Sequence, residues 1–328
     1  MAKDRDGWAV AWAKAPAAGW AKLSAELMAS LPPDDPGTVA ARAFLSDPLW
    51  QGRSRVAVVR GSGRELGGLV VLGRPCWDRW LAAPWLLCPA AAPALAAAID
   101  RSPAWGVLGP TAVLEPVGNH LHRVYRYQDP LFFCVTASNL APFLARKGFE
   151  VAPVPGPSGL SLPVPDPRVR VAGPADEEAV MALMAARGYD YMPTRYRARH
   201  YLRELLGRGR VLVGDSGGKV AGVIWSELRA ARWEMWGGLR VHPRAWAQRL
   251  SWALVTEAMR RSEEAGRSFC ATLGPANTMV SARAISEHPD ATRWYLFILR
   301  PPTRLPGQRA LRAVLERAEG RRPNALTP

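Results

Sequence analysis

Bulky apolar residues alternate with other residues from Trp233 to Val241, and this pattern predicts a β-strand that is interrupted by Gly237-Gly238. His242-Pro243 ends the strand, because proline has no backbone N–H to donate to a ladder. Apolar residues then recur at three- and four-residue spacing up to Gly266, which predicts a helix. A strand that leads through a tight turn into a helix presents backbone N–H groups and the positive end of a dipole to an anionic group.

The stretch from 232 to 266 resembles the GNAT superfamily of N-acyltransferases, whose motif reads Val-x-Pro, then Gln/Arg-x-x-Gly-x-Gly/Ala, then a long helix. Val241-His242-Pro243 matches the first part, and Arg244 matches the first position of the phosphate loop. Ala247 and Arg249 stand where the family has its two glycines. Glycine lets a pyrophosphate approach the backbone closely, and an arginine side chain fills that space. The resemblance therefore implies a GNAT-like fold and acyl transfer, whereas the loop puts the usual acetyl-CoA donor in question.

The order of predicted strands and helices extends the resemblance over residues 168–299. A predicted strand at 130–135, a helix from Asn139 and the pair Gly148-Phe149 resemble the end of a second GNAT domain. We recognise no strand–Pro–phosphate-loop–helix stretch in that first half. The predicted fold is α/β (α+β), with tandem GNAT-like domains that are each a mixed, mostly antiparallel sheet flanked by helices. The predicted parts are a degenerate GNAT-like domain (1–151), a Pro/Gly linker (152–167), a GNAT-like catalytic domain (168–300) and a basic C-terminal tail (301–328).

Two local expectations accompany this organisation. Ala-rich segments at 8–30 and 37–46 predict helices. Residues 152–167 are too rich in Pro, Gly and Ser for a regular element, so we expect a linker there. A single sheet that continued through 152–167 would contradict the two-domain organisation.

The resemblance also implies where a donor would bind. In GNAT proteins a central strand splays open and leaves backbone N–H groups for the donor, and here these would come from Leu239 to Val241. The Gly237-Gly238 pair suits a splayed strand or a simple bulge. The predicted donor-binding residues are Leu239, Arg240, Val241, Arg244, Ala245, Trp246, Ala247, Gln248, Arg249 and Asn277.

Glu234 is the first candidate for the general base, and Glu227 on the preceding strand is the reserve. Glu234 stands between two tryptophans, where an apolar setting is expected to raise the pKa of a carboxylate toward neutrality. Alternation places Glu234 and Trp236 on the same face of the strand. The alternative is an exposed strand carboxylate paired with Arg232.

Many GNAT enzymes use a tyrosine as general acid in the helix after the Asn-containing turn. Asn277 is present, but the following residues contain no tyrosine, and Ser281 and Ser286 are poor substitutes because a hydroxyl has a high pKa. A ribose leaving group, as in aminoacyl-tRNA, could be assisted by its own neighbouring hydroxyl. The missing acid is therefore compatible with an aminoacyl-tRNA donor.

The formal net charge is +15, with 38 arginines and 5 lysines. Residues 1–165 carry a net charge of +4 and residues 166–328 a net charge of +11. A basic surface attracts polyanions such as tRNA, although it is also compatible with a merely solvated face. The predicted RNA-binding residues are Arg195, Arg197, Arg199, Arg203, Arg208, Arg210, Arg260 and Arg261.

The first functional hypothesis is a transferase that forms an amide on a small-molecule amine, with aminoacyl-tRNA as donor and tRNA as partner. The second is an acyl-CoA N-acyltransferase with a divergent phosphate loop and acetyl-CoA as co-substrate. A third is a GNAT-like binding module without chemistry. We expect no tightly bound cofactor in any of these cases.

Cys76, Cys88, Cys134 and Cys270 are scattered without a CxxC pair, so we expect buried thiols and no metal site. Charges or prolines interrupt every apolar run before it reaches transmembrane length, so we expect no membrane partner. The first residues lack the layout of a signal peptide, which predicts a cytoplasmic protein.

Overall fold

A computed structural model describes most of the chain. The described ranges are 2–3, 8–15, 18–50, 54–76, 79–127, 132–146, 148–185, 195–273 and 292–299.

The first half contains strands at runs rich in Val, Leu, Ala and aromatic residues, which suit a buried pleated surface. Its strands are β1 (Ala2–Lys3), β2 (Ala9–Lys14), β3 (Arg55–Arg60), β4 (Leu66–Cys76), β5 (Arg79–Leu86), β6 (Ala104–Pro110), β7 (Val124–Tyr127) and β8 (Phe132–Thr136). Its helices are α1 (Trp20–Ser30), α2 (Val39–Ser46), α3 (Ala92–Arg101), α4 (Thr111–Gly118) and α5 (Ala137–Arg146).

The second half repeats this mixture of strands and helices. Its strands are β9 (Val151–Pro153), β10 (Ser161–Pro163), β11 (Val169–Val171), β12 (Val211–Ser216), β13 (Lys219–Arg229), β14 (Trp233–Val241), β15 (Ser268–Leu273) and β16 (Thr292–Leu299). Its helices are α6 (Glu177–Ala185), α7 (Arg195–Leu206) and α8 (Leu250–Glu264).

The described strands other than β9 and β10 form one 14-stranded sheet, in the order β1-β2-β3-β4-β5-β6-β16-β8-β15-β14-β13-β12-β11, with β7 also paired to β16. The pairs β5–β6 and β14–β15 are parallel, and the other pairs are antiparallel. The strands β8 and β16 are exchanged between the halves. β16 pairs with β6 and β7 of the first half, whereas β8 pairs with β15 of the second half as well as with β16.

The predicted fold class is confirmed, because each half is a mixed, mostly antiparallel sheet flanked by helices. The two half-sheets nevertheless join into one sheet, which the sequence did not predict. The junction lies at β16, β8 and β15, and the large sheet does not pass through residues 152–167.

Three apolar clusters hold the helices on the two faces of the sheet. One cluster joins residues of α1 and α2 from the first half with residues of α6 and α7 from the second half. On the opposite face, α3 and α4 cover the first half, and α5 and α8 cover the second half. The shared cluster means that the core of one half is continuous with that of the other.

A buried ion pair also joins the halves. The Asp47 carboxylate, at the end of α2, accepts from both terminal nitrogens of Arg210, and the Nη1–Oδ2 distance is 2.7 Å. The backbone N–H of Arg229 donates to the same carboxylate over 3.0 Å. The side chains of Asp47 and Arg210 are 0% and 3% exposed, so the pair is withdrawn from water.

One sequence expectation about the first half was wrong. Residues 9–14 form the strand β2 and not part of a helix, because this alternating Ala, Val and Trp segment pairs along β3. A strand–Pro–3₁₀–helix stretch is also present in the first half, where β5 leads through a 3₁₀ helix at Pro89–Ala91 into α3.

The expectation of no regular element in 152–167 was also wrong, because β9 and β10 form a small antiparallel hairpin. The hairpin is fixed to the end of α8, where the backbone N–H and the hydroxyl of Ser158 donate to Glu263 over 3.0 and 2.7 Å. The division of the chain at 152–167 stays a prediction.

In the described part of the chain, no helix is both long and apolar enough to span a membrane. The described residues likewise contain no group of three or more His, Cys, Asp and Glu side chains placed to hold a metal ion. Cys270 is buried and Cys88 is partly buried.

Candidate functional site

The strands β14 and β15 pair for only part of their length. Their parallel ladder runs from Trp233–Ser268 to Trp236–Ala271. Beyond that point β14 continues to Val241 against β13, whereas β15 continues to Leu273 against β8, and the described residues show no further pairing between β14 and β15. The two strands therefore diverge after Trp236, as the resemblance implied. We call the region between 237–241 and 272–273 the β14/β15 divergence.

Two β-bulges lie at the beginning of this divergence. β14 has one extra residue between the pairs Trp225–Gly237 and Val223–Arg240, where Gly238 has a φ of 64°. A Cβ atom on Gly238 would lie 2.0 Å from Cζ2 of Trp225, so the ring occupies the space of a side chain there. The sequence left a splayed strand and a bulge as alternatives, and the structure contains both.

The second bulge positions Glu227. This residue is the extra one on β13 between the pairs Ser226–Trp236 and Leu228–Met235. A Cβ atom on Gly237 would lie 2.7 Å from Cδ of Glu227, so the carboxyl group lies directly over the glycine that begins the divergence. Glu227 is partly exposed. It lies on the face of Trp225, whose side chain belongs to the cluster shared with α6 and α7.

Glu234, in contrast, is buried on the face of α8. Its carboxylate accepts from Nε and Nη2 of Arg229 over 2.9 and 2.6 Å, and from Nε of Arg267 over 3.1 Å. The Ser262 hydroxyl of α8 lies 3.5 Å from Glu234 and accepts from Nε1 of Trp236 over 2.8 Å. Glu234 and Trp236 thus face the same side of the sheet, as alternation predicted.

The expectation of a raised pKa for Glu234 was wrong. Burial raises the pKa of its carboxyl group, but the charges of Arg229 and Arg267 outweigh burial, so the pKa lies below its ordinary value. The alternative partner was also wrong, because Arg232 pairs with Asp34 over 2.7 Å. Glu234 is therefore a buried, ion-paired carboxylate.

The loop after β14 differs from a phosphate cradle. Residues Pro243–Gln248 form a 3₁₀ helix, in which N–H groups bond to carbonyls three residues earlier. The N–H of Ala245 donates to the carbonyl of His242 over 2.8 Å. Several backbone N–H groups that could bind a pyrophosphate therefore donate hydrogen bonds within the loop.

Arg249 has a left-handed backbone, with a φ of 56°, immediately before α8 begins. This is a position where the GNAT motif has glycine, the residue that adopts such a φ without steric cost. The guanidinium of Arg249 lies 5.4 Å from the centroid of the Phe149 ring. The loop thus keeps the backbone shape that glycine favours and carries a long cationic side chain there.

Gln248 is held from both sides. Its side-chain oxygen accepts from the Ser216 hydroxyl over 2.8 Å, and its backbone carbonyl accepts from Nη2 of Arg168 over 3.1 Å. Arg244, Ala247 and Arg249 are exposed, whereas Ala245 is buried. Trp246 lies in the 3₁₀ helix, and Asn277, Ser281 and Ser286 lie outside the described residues.

Most of the predicted RNA-binding arginines have carboxylate partners in the structure. Arg199 pairs with Glu177 (2.9 Å) and Glu178, Arg203 with Glu177 (2.7 Å), Arg195 with Glu178 (3.8 Å), Arg208 with Glu204 (3.6 Å), Arg260 with Glu257 (2.6 Å) and Glu264, and Arg261 with Glu257 (2.6 Å). Arg210 is buried against Asp47, so its assignment to an RNA-binding surface was wrong. The side chain of Arg197 lies outside the described residues.

A shallow depression of about 200 Å³ lies elsewhere, between the halves. Pro36, Thr136, Ser158 and Trp233 are among the residues that line it. Trp233 begins β14, so the depression lies at the opposite end of the strand from the divergence. We place the candidate site at the divergence, where the two strands separate beside a carboxylate and a helix N-terminus.

Comparison with solved structures identifies the fold. A GNAT-family acetyltransferase from Colwellia psychrerythraea superposes with a TM-score of 0.52 at 14% identity, over 89% of this chain and 99% of that chain. A GCN5-related N-acetyltransferase from Sphaerobacter thermophilus gives a TM-score of 0.49 at 14% identity, over 89% and 95%. A tandem GNAT protein from the clavulanic acid biosynthesis pathway gives 0.46 at 16% identity, over 89% and 98%.

No family model matches the sequence, and no curated protein matches it. The fold assignment rests on the first superposition together with the topology of the strands. The class that these define is the GNAT fold.

Proposed function

We propose that this chain is a GNAT-fold acyltransferase that forms an amide at the β14/β15 divergence. The observation that carries the proposal is the separation of β14 from β15 after the pair Trp236–Ala271, with the carboxyl group of Glu227 over Gly237. Where β14 no longer pairs with β15, its backbone N–H and C=O groups are suited to polarise the carbonyl of the acyl donor and to hydrogen-bond to amide groups of the donor. The acceptor in this proposal is a small-molecule amine.

In this reaction Glu227 is the proton acceptor. The attacking amine must lose a proton, and a carboxylate in reach of the reacting carbon can take it directly or through water. Glu227 lies at the divergence and is partly exposed, whereas Glu234 is buried between Arg229 and Arg267 on the opposite face. The reserve candidate therefore replaces the first candidate in the proposed mechanism.

The proposed donor is aminoacyl-tRNA. Two features of the loop support it: the 3₁₀ helix uses backbone donors internally, and Arg249 brings its side chain to a glycine position. Arg244 and Arg249 are exposed at this loop and would meet phosphates of an RNA acceptor end. The amine attacks the ester carbonyl, the C–O bond to the ribose breaks, and the ribose oxygen takes up a proton.

Acetyl-CoA is the second candidate donor. The retained Val241-His242-Pro243 and the strand–3₁₀–helix arrangement favour it, since they place the start of α8 where the motif places its phosphate loop. In that case the bond that breaks is the thioester, and the thiolate of CoA leaves. The two donors present different groups to the loop, so a measurement of donor binding distinguishes between the two candidates.

Calorimetry with acetyl-CoA tests the donor. We expect a Kd in or above the high-micromolar range, about −5.5 kcal/mol or weaker, because close backbone approach is lost. Arg249→Gly should tighten binding about tenfold, since glycine removes the side chain and keeps the left-handed backbone. Arg249→Ala is the matched control, because it removes the same charge but keeps a Cβ. Its affinity for acetyl-CoA should increase less than that of Arg249→Gly. Sub-micromolar binding by the parent chain would reject the aminoacyl-tRNA proposal and favour acetyl-CoA.

A further inference from the structure

Basic and aromatic side chains lie together on one face of the first-half sheet. Trp12 and Lys14 lie two residues apart on β2, and Lys14 is directly opposite Arg55 on β3. Arg74 on β4 and Trp80 on β5 continue the row. We call these five residues the basic–aromatic patch. Because neighbouring strands lie about 4.8 Å apart, the patch extends roughly 14 Å from β2 to β5.

Two guanidinium groups lie over one indole ring in this patch. The Cζ atom of Arg55 is 4.8 Å from the centroid of the Trp80 ring, and that of Arg74 is 5.7 Å from it. These cation–π contacts position the two arginines relative to the sheet. Trp12 is 43% exposed, so its ring is available at the edge of the same surface.

The positive charges of the patch are not neutralised by carboxylates in the described structure. Among the described residues, no ion pair involves Lys14, Arg55 or Arg74. Six of the predicted second-half arginines, in contrast, pair with glutamates. Net charge along the sequence favours the second half, whereas the ion pairs of the described residues leave Lys14, Arg55 and Arg74 of the first half without a carboxylate. Such a surface attracts a polyanion.

We propose that the basic–aromatic patch binds a short single-stranded segment of RNA. Lys14, Arg55 and Arg74 contact successive phosphates, and a base stacks on the exposed ring of Trp12. Single-stranded nucleic acids are bound by this combination of a cationic track with aromatic platforms on a sheet. Binding to an anionic lipid surface would instead need several protruding apolar side chains. In the patch, Trp12 is the apolar residue that is exposed.

This binding does not depend on the proposed transfer reaction. The patch lies on β2 to β5, whereas the divergence lies between β14 and β15 at the other side of the sheet order. RNA binding is measured without acyl donor or acceptor. A failure here would leave the acyltransferase proposal standing, and loss of transfer activity would leave this one standing.

The test is fluorescence anisotropy of the full chain with a labelled oligouridylate of about 12 nucleotides, a length within the range that single-stranded sites occupy. For three neutralised phosphates, log K should fall with log salt at a slope of about −2. Arg55→Ala with Arg74→Ala should weaken binding at least about tenfold and flatten that slope by about 1.4. Trp12→Ala should weaken binding about 5- to 100-fold and leave the slope unchanged, because it removes stacking and no charge.

Arg60→Ala with Arg64→Ala is the matched control. This double variant removes the same charge from the β3–β4 pair, but at the turn between the strands, away from the patch. At a salt concentration that screens distant charges, its affinity for the oligomer should stay within about twofold of the parent's. Lys14→Glu is a second probe on an exposed side chain, in case a tryptophan variant does not fold. Equal weakening by both double variants would overturn the proposal. So would equally tight binding of an abasic ribose-phosphate oligomer, or full displacement of the oligomer by anionic vesicles.

Discussion

Two carboxylates on adjacent strands have opposite surroundings, and the roles that we propose for them rest on this difference. Glu227 lies over Gly237 at the divergence, and Glu234 is 1% exposed between Arg229 and Arg267. A strand pattern shows which residues share a face, but it does not show which arginines from distant segments reach a carboxylate. For that reason the sequence favoured Glu234, whereas the proposed mechanism uses Glu227.

Glu227→Gln should lower the rate of transfer by about 10²- to 10⁴-fold, because it removes a proton acceptor and keeps the shape of the side chain. Its melting temperature should stay close to that of the parent. Glu234→Gln is the matched variant and should lower the free energy of unfolding by roughly 3–5 kcal/mol, since it leaves Arg229 and Arg267 facing a neutral group. The measurements are initial rates and thermal melts of both variants. Loss of activity only with Glu234→Gln, at unchanged stability, would reverse the assignment.

The lowered pKa of Glu234 also makes its contribution to stability depend on pH. A carboxyl group whose pKa is lower in the folded chain than in the unfolded chain stabilises the fold at pH values above its unfolded pKa. That contribution is lost as the pH falls through the lower folded pKa. The difference in unfolding free energy between the parent and Glu234→Gln should therefore be constant near neutral pH and shrink in acid. Denaturant titrations across the acidic range measure it, and a difference that grows in acid would contradict the ion-pair account.

At the scale of elements, β14 and the loop after it could be predicted in outline. Alternation, His242-Pro243 and the helical spacing correctly gave the strand, its end and α8, because these are local patterns. The 3₁₀ helix at Pro243–Gln248 could not be read from composition, since it depends on contacts such as those of Gln248 with Ser216 and Arg168. The strand β2 was mistaken for helix because alanine favours helices and the pairing with β3 overrides that preference.

The bulge of β14 should be sensitive to any side chain at Gly238. Gly238→Ala should destabilise the fold by more than about 1–3 kcal/mol, because its Cβ would meet the ring of Trp225 and its φ is 64°. Gly218→Ala is the matched control: its φ is 72°, but nothing lies within 4 Å of its Cβ position. Chemical denaturation of both variants separates backbone strain from the clash. Equal losses of unfolding free energy in the two variants would show that Trp225 does not occupy the Cβ position of Gly238.

At the scale of the whole molecule, the exchange of β8 and β16 makes each half incomplete without the other. A repeat of two mixed sheets was predictable from element order, but strand exchange was not, because it pairs residues far apart in sequence such as Trp294 with Phe132. The ion pair of Asp47 with Arg210 and the shared apolar cluster add further contacts between the halves. Arg210 was therefore misread as a surface residue, since its partner lies in the other half.

Fragments 1–151 and 168–328 should not fold when expressed separately, because each would expose the strand edges that the other half covers. Co-expression should yield a soluble complex, since β8 and β16 can then pair across the two fragments. Size-exclusion chromatography and circular dichroism measure the outcome. Two stable, independent monomers would contradict the exchanged arrangement.

We propose above that the β14/β15 divergence forms amides from an activated acyl ester. The most direct test is to incubate the purified chain with tRNA charged with labelled amino acids and a panel of small primary amines, and to measure label in the small-molecule fraction. We expect label in an amide product with the parent chain and loss of that product with Glu227→Gln. Transfer of the acetyl group from acetyl-CoA, with every aminoacyl ester left intact, would contradict the proposed donor, and an unchanged rate with Glu227→Gln would contradict the proposed site.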